Sequence, residues 1–343
     1  MIVAEAYVRP RGVPRLWGLC AAAFLLVSLL VGLGVGSIGI APWAIAESAL
    51  SRIPFLHVHS PLSSVEDAIV WQLRAPRVVL SALVGGMLAI AGASYQGVFR
   101  NPLVDPYLLG VAAGAGLGAT LVIAYGGTSS QLVPPAAFGG AAISVALAYA
   151  LGRSGRATAL VLAGVTVATF MAAVQTFVQQ QHSDELRNVY TWLLGGFSTS
   201  TWHDVAVAAP YIAVSSAVLV LHRRVLDVLS VGDEEAASLG VDVRRVRLAI
   251  VAAATVGTAA AVAVSGLIAF VGVIVPHTIR LLVSTSYRAV VPLSLLAGAG
   301  FLVLTDVVAR TVLSPAELPI GVVTAFLGAP FFAIVLRTSR TLR

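Results

Sequence analysis

The chain has 343 residues, of which 58% are hydrophobic and 10% charged, and its mean hydropathy is +0.95. A soluble domain carries about 25% charged residues, because its surface must face water. This composition therefore excludes a soluble globular protein and leaves no normally charged remainder for a separate soluble domain. The formal net charge of +6 would suggest nucleic-acid binding in a soluble protein, but here membrane orientation explains it. No nucleic-acid partner is predicted.

The first predicted element is an apolar run that follows Arg9, Arg11 and Arg15. Residues 16–46 contain no charged residue for thirty-one positions, which is too long for the core of a secretory signal, about 7–15 residues. We therefore predict a retained first membrane span. Residues 37–73 are predicted to form an external loop that contains an amphipathic helix.

The strongest membrane signal lies between Asp105 and Arg153, where forty-seven consecutive residues include no Asp, Glu, Lys or Arg. One crossing needs about 20 apolar residues, so this stretch predicts two spans joined by a turn. Dividing the chain at charges and turn residues predicts ten spans in one all-α, polytopic transmembrane domain over residues 1–343. The approximate bounds are 16–36, 77–98, 106–125, 132–152, 157–181, 205–222, 246–266, 270–284, 289–309 and 318–336.

Small residues are expected where these spans pack together, because burying apolar surface gains little in lipid. Gly110, Gly114 and Gly118 recur every four residues and therefore share one face of the third span. This stripe predicts close helix packing, and the alternative is that it lines a pathway.

The distribution of the twenty-one arginines predicts the orientation, since basic residues concentrate in cytoplasmic loops. With ten spans and a cytoplasmic N-terminus, sixteen arginines fall inside and five outside. Both termini are therefore expected in the cytoplasm, in a multi-pass protein of the inner (plasma) membrane that contacts the lipid bilayer directly. The external arginines are Arg52, Arg74, Arg77, Arg187 and Arg310.

A polar segment at residues 230–243 joins the sixth and seventh spans on the predicted cytoplasmic side. Asp233, Glu234 and Glu235 suit the positive end of a helix dipole, and Gly240 suits a helix stop. The pattern predicts a short helix over residues 233–241 that docks a cytoplasmic partner. The alternative is a solvated loop that follows the charge rules.

Three external arginines, Arg74, Arg77 and Arg310, run against the positive-inside rule and need a local reason. We predict that they dock an acidic surface of an external protein. The alternatives are contact with lipid phosphate, or pairing with Asp306 and Glu317.

Chemistry in the chain itself is not predicted. The six histidines show no metal-ligand spacing, and the phosphate-binding P-loop motif cannot occur in a chain without lysine. We therefore predict no catalytic residue, no metal site and no directly bound cofactor. His277, which follows Pro276 in a broken eighth span, is assigned a structural role. An ion-coupled secondary transporter is disfavoured, because the first eight predicted spans contain no Asp or Glu.

Six segments in register resemble one family, the FecCD-type permeases, which are membrane subunits of type II ABC importers for vitamin B12, haem and ferric siderophores. They follow one another in the family's order between residues 73 and 332. The segments are LRAPRVVLSALVGGMLAIAG (73–92), QGVFRNPLVDPYLLGVAAGAGLGA (96–119), WLLGG (192–196), GDEEAASLGVDVRRVR (232–247), SGLIAFVGVIVPHTIRLL (265–282) and TDVVARTVLSPAELPIGVVTAFLGAPFF (305–332).

The resemblance implies a homodimer of ten-span subunits with a pathway along the two-fold axis. It also implies two cytoplasmic ABC ATPase subunits, which carry ATP and Mg, and an external substrate-binding protein. The family's external arginines are similar to Arg74, Arg77 and Arg310. The residues expected to couple to the ATPase are Asp233, Glu234, Glu235, Ala236, Ala237, Leu239 and Gly240.

The expected mechanism is alternating access, in which the ATPases push the 233–241 helix and tilt spans five to ten. The pathway candidates are Thr166, Thr169, Gln175, Gly195 and Gly196. A ferric siderophore is the expected cargo, with haem and cobalamin as alternatives, because the external binding protein is expected to select the chelate.

Overall fold

The fold is an all-helical bundle, seen in a computed structural model that describes residues 12–36, 38–53, 55, 59–126, 130–152 and 157–341. Within these ranges there are α-helices and short 3-10 or π turns, and no strand. The helices are α1 (Arg15–Gly34), α2 (Pro42–Ser51), α3 (Ser64–Ala68), α4 (Ala75–Phe99), α5 (Val111–Tyr125), α6 (Val133–Leu151), α7 (Ala157–Gln181), α8 (Leu186–Leu193), α9 (Trp202–Val231), α10 (Asp233–Ser238), α11 (Val243–Ser265), α12 (Val271–Leu282), α13 (Tyr287–Thr311) and α14 (Ile320–Thr341).

Each predicted span coincides with an apolar helix. Among the described residues, seven helical stretches are long and apolar enough to cross a membrane, and α5, α12 and α14 supply three shorter apolar segments. The all-α, polytopic prediction is therefore confirmed, with about ten spans. In chain order the corresponding helices are α1, α4, α5, α6, α7, α9, α11, α12, α13 and α14.

The predicted loop at residues 37–73 is too long, because helical structure begins well before the second span. Ser63 and Glu66 form a capping box, in which each side chain satisfies the backbone N–H of the other residue. From Ser64 the chain continues through a π-helical turn at Ile69–Arg74 into α4, giving 36 helical residues as far as Phe99. The predicted amphipathic helix of this region is α2, which buries Ala44 and Ile45.

The predicted break of the eighth span at Pro276 is wrong, because α12 runs through it. A proline leaves the carbonyl four residues earlier without its helical donor. In this protein that carbonyl belongs to Gly272, and the side-chain amide of Gln96 donates to it at 3.0 Å. The break lies before the helix, between the predicted spans 246–266 and 270–284, where Gly266 and Phe270 both have positive φ angles.

Helix α4 forms the centre of the core and packs against α9, α11, α12 and α13. A side chain on Gly85 would collide with the backbone of Gly298 in α13, so this pair of glycines permits close approach of the two helices. On α5, Gly114 in the same way faces Gly140 of α6. The prediction that this glycine stripe packs helices together is confirmed.

Candidate functional site

Two groups of charged residues lie at opposite ends of α4. The first, called the Arg77 cluster, consists of Arg74, Arg77, Asp306, Arg310 and Glu317. The second, called the α10 loop, is residues 232–242. Helix α4 has 25 residues, and a rise of 1.5 Å per residue places its ends about 37 Å apart. The two groups therefore occupy opposite faces of the bundle, as an interaction on each side of a membrane would require.

The short helix predicted in the α10 loop is present and covers Asp233–Ser238. Three acidic residues occupy its first turn, where they complement the helix dipole. Gly240 follows with a φ of +82°, the left-handed conformation that glycine adopts most readily at helix ends. Its N–H donates to Ala237 O at 2.9 Å, and the Val241 N–H donates to Ala236 O at 3.1 Å. These bonds end the helix at Ser238, slightly before the predicted end at residue 241, and Gly240 forms the predicted stop.

The α10 loop presents most of its predicted coupling residues to solvent. Glu234, Glu235, Ala237 and Gly240 are exposed, and Leu239 is 72% exposed. An exposed leucine beside two carboxylates suits a partner surface that is apolar at its centre and basic at its rim.

Two of the predicted coupling residues make contacts within the chain instead. Ala236 is fully buried in the hydrophobic core, so it anchors the helix and cannot face a partner in this conformation. The carboxylate of Asp233 accepts two hydrogen bonds from one nitrogen of Arg247, at 2.8 and 2.9 Å. Arg100 lies 3.7 Å from the same carboxylate. Asp233 therefore ties α10 to the start of α11 and to the end of α4.

A second connection near this end of α4 was not predicted from the sequence. The buried amide nitrogen of Gln96 donates to Val104 O at 3.1 Å and to Gly272 O at 3.0 Å. Its amide oxygen accepts a 2.6 Å hydrogen bond from Arg280. One side chain thus joins α4, the α4–α5 connection and α12. A glutamine in an apolar segment was the available sequence signal, since such a group must find partners inside the protein.

At the other end of α4, Arg74 and Arg310 cap the end of α1. Arg74 donates to the carbonyls of Leu33 and Gly34 at 2.9 and 3.2 Å, and Arg310 donates to Gly32 O. The last carbonyls of a helix lack intrahelical donors and attract cations. This explains Arg74 and Arg310, two of the three external arginines that were predicted to dock a partner.

Arg77 binds two carboxylates at once. Its Nε and one terminal nitrogen donate to Asp306 at 2.9–3.1 Å. Its terminal nitrogens also donate to the two oxygens of Glu317, at 2.8 and 3.0 Å. The side chain of Asp306 is 1% exposed, whereas that of Glu317 is 38% exposed. The pairing that the sequence analysis left as an alternative is therefore present, and docking by these arginines stays a prediction.

The pathway candidates separate into exposed and buried positions. Thr166 and Thr169 lie on the exposed face of α7, and their hydroxyls donate to helix carbonyls four residues earlier. Gln175 lies beside Gly116 of α5. Gly195 is buried, with a φ of +69°, and its carbonyl accepts the N–H of Ile320 at 3.2 Å. In this conformation Gly195 is a structural junction, and Gly196 is the glycine that faces open space.

The structure also has two open clefts whose lining is mostly not among the predicted pathway residues. One of about 520 Å³ is almost wholly apolar and is lined mainly by α14. The other, of about 370 Å³, lies between the α4–α5 connection, the start of α12 and α14. Phe326 and Phe332 contribute to these walls, but nothing in an apolar helix distinguishes a cleft-lining phenylalanine from a lipid-facing one. The lining includes Leu103, Asp105, Phe270 and Phe332 in the second cleft, and Leu194, Phe326 and Pro330 in the first.

The apolar helices of the fold define a polytopic membrane protein. The sequence matches the FecCD transport family over residues 24–338, and the chain belongs to this family. It is 39% identical to the cobalamin import permease BtuC of Halobacterium salinarum over 94% of this chain and 95% of that protein. It is 36% identical to the hemin permease HmuU of Yersinia pestis, covering 93% and 96%.

A solved structure supports the same classification. An inward-facing metal-chelate type ABC transporter superposes with a TM-score of 0.84 at 29% identity, covering 95% of this chain and 99% of that one. The predicted family and fold are therefore confirmed. This chain is a transport permease that is integral to a membrane, not itself an enzyme.

Proposed function

We propose that the protein is the membrane-spanning subunit of an ATP-driven importer for a metal chelate, either an iron chelate or cobalamin. The relatives named for cobalamin and hemin align over more than nine tenths of this chain, which supports this cargo class. The observation that supports coupling to ATPase subunits is the structure of the α10 loop. It is a capped helix with an exposed acidic and apolar face that is tied by Asp233 to two spans.

The proposed assembly is a homodimer with two cytoplasmic ATPase subunits and an external substrate-binding protein. The ATPases would hold ATP and Mg, so the permease needs no cofactor of its own. The proposed orientation places the α10 loop and both termini in the cytoplasm and the Arg77 cluster outside, in agreement with the arginine distribution.

In the proposed mechanism, ATP-driven closure of the ATPases displaces α10. Asp233 passes this movement to Arg247 in α11 and to Arg100 at the end of α4. The Gln96 connection then carries it to α12 and to the α4–α5 connection, which borders one of the two clefts. Alternating access would follow as this push tilts spans five to ten, so that the path opens toward one side at a time. A large chelate would meet mostly apolar walls and hydroxyl groups, and such weak contacts allow release.

The experiment that tests the coupling surface reverses its charge. In the double variant Glu234→Arg with Glu235→Arg, we expect at least about a tenfold loss of ATPase capture in a pull-down, because two rim attractions become repulsions. Both side chains are exposed, so thermal unfolding of the purified permease should change only by the loss of their interaction with the α10 dipole, about 0.3–1 kcal/mol each.

The matched control is Asp184→Arg with Glu185→Arg, which makes the same charge change next to α8, outside the α10 loop. This control should retain ATPase capture. Equal losses in both double variants, or unchanged capture in the Glu234 and Glu235 variant, would contradict the proposed coupling surface.

A further inference from the structure

Arg77 forms two ion pairs that differ in burial, one with the buried Asp306 and one with the partly exposed Glu317. A guanidinium group can engage carboxylates along two edges. The edge of Arg77 formed by Nε and a terminal nitrogen faces Asp306, which is 1% exposed and lies on α13. The edge formed by both terminal nitrogens faces Glu317, which is 38% exposed.

The chain around Glu317 permits it to move. Residues 312–317 leave α13 as an exposed turn and have no helical structure. The next residue, Leu318, is fixed by a hydrogen bond from its N–H to Ala309 O at 2.9 Å. Glu317 is thus the last exposed residue before the chain is fixed again. Its carboxylate can swing away from Arg77 without moving a helix.

The remaining arginines of the cluster are not available for exchange. Arg74 and Arg310 are each 6% exposed and donate to the carbonyls at the end of α1. Releasing them would uncover these carbonyls and bury an unpaired cation, which is costly. Arg77 keeps its inner partner, Asp306, whether or not Glu317 is present. The outer edge of Arg77 is therefore the place in this cluster where a carboxylate can be replaced at low cost.

We propose that Glu317 is an internal substitute for a carboxylate of an external protein. Glu317 covers the outer edge of Arg77 in the free permease and is displaced when an acidic side chain of the docking protein arrives. This inference rests on the proposed function, which supplies the external binding protein. The exchange of one carboxylate for another keeps both edges of Arg77 paired, and the displaced Glu317, already 38% exposed, is then solvated by water.

The experiment uses the full chain in phosphatidylcholine nanodiscs and a fluorescein-labelled hexaglutamate peptide as the acidic probe. Glu317→Gln removes the competing charge and should tighten peptide binding about three- to tenfold, the effect of one partly exposed ion pair. In the same variant, phenylglyoxal should modify Arg77 faster, as read by mass spectrometry. Arg77→Gln should bind the peptide more weakly than the unaltered chain.

Asp67→Asn is the matched control, because it breaks another exposed ion pair outside the cluster, with Arg52 at 2.7 Å, and changes the net charge equally. It should leave peptide binding within about twofold. Equal tightening by Asp67→Asn and Glu317→Gln would overturn the inference, since a general charge effect would then suffice. A gain in Glu317→Gln that disappears when phosphatidylglycerol is added would also overturn it, because lipid phosphate would then be the competitor.

The failures of the two proposals are distinguishable. If Arg77→Gln weakens peptide binding but Glu317→Gln does not tighten it, the substitute role of Glu317 is wrong and docking at Arg77 stands. If neither variant changes binding, docking at Arg77 is itself wrong. The charge reversal on α10 tests the ATPase partner separately in either case.

Discussion

At the Arg77 cluster the three arginine side chains are between 6% and 11% exposed, and each donates to a helix carbonyl or to a carboxylate of the same chain. On the α10 loop, about 37 Å away along α4, Glu234 and Glu235 are exposed and Leu239 is 72% exposed. The exposed α10 loop can bind a partner without rearrangement. The Arg77 cluster must first break one of its internal contacts. The comparison therefore predicts that the α10 loop holds its partner stably, while the Arg77 cluster binds and releases.

The ion pairs of Asp306, Asp233 and Asp67 differ in burial. The largest loss of stability is expected from a substitution at Asp306, which is the most buried of the three. Asp306→Asn leaves Arg77 without its inner carboxylate and leaves Arg310, which lies 3.8 Å away, without its nearest anion. Breaking a buried pair on one side costs about 3–5 kcal/mol. We expect a clear loss of thermal stability, measured by intrinsic tryptophan fluorescence in nanodiscs. A melting temperature equal to that of the unaltered chain would mean that this cluster does not stabilise the bundle.

A smaller effect is expected from Asp233→Asn on the opposite side of the bundle. The Asp233 side chain is 39% exposed, although its partner Arg247 is only 5% exposed. Solvent screening should reduce the cost to about 1 kcal/mol. Because Asp233 ties α10 to α4 and α11, the ATPases should still bind the variant, but ATP-driven transport should fall more than ATPase capture does. A parallel fall of both quantities would mean that Asp233 contacts the partner directly.

The smallest effect is expected from Asp67→Asn. The pair of Asp67 with Arg52 is 37% and 48% exposed, and such pairs contribute about 0–1 kcal/mol. Arg52 also retains its position over the ring of Trp71, 4.6 Å from its centre. Stability should change by less than about 0.5 kcal/mol. A loss as large as that of Asp306→Asn would show that burial does not rank these ion pairs.

The sequence predicted the spans because hydropathy is a local property, and it predicted α10 because capping residues and a terminal glycine are local signals. It placed the boundary between two spans at residues 266–270, but it wrongly predicted a further break at Pro276. Pro276 leaves the carbonyl of Gly272 without a helical donor, and the side-chain amide of Gln96, 176 positions away along the chain, donates to it. A local sequence pattern cannot predict a hydrogen bond between residues so far apart.

The partners of the external arginines show the same limit. Asp306 and Glu317 were recognised as candidates for pairing, but Arg77 is separated from them by 229 and 240 positions. Whether these carboxylates reach it depends on how α13 packs on α4, where Gly85 and Gly298 allow close approach. The clefts along α14 were missed for a related reason, since hydropathy does not distinguish a helix face that lines a cleft from one that meets lipid.

The most direct measurement is uptake of labelled cargo by proteoliposomes that contain this permease, with cobalamin, hemin and a ferric siderophore each supplied alongside its binding protein. We predict accumulation of one of these chelates only when both the ATPase subunits and ATP are present, and no accumulation from a proton or sodium gradient alone. Gradient-driven uptake by the permease without ATPase subunits would contradict the account.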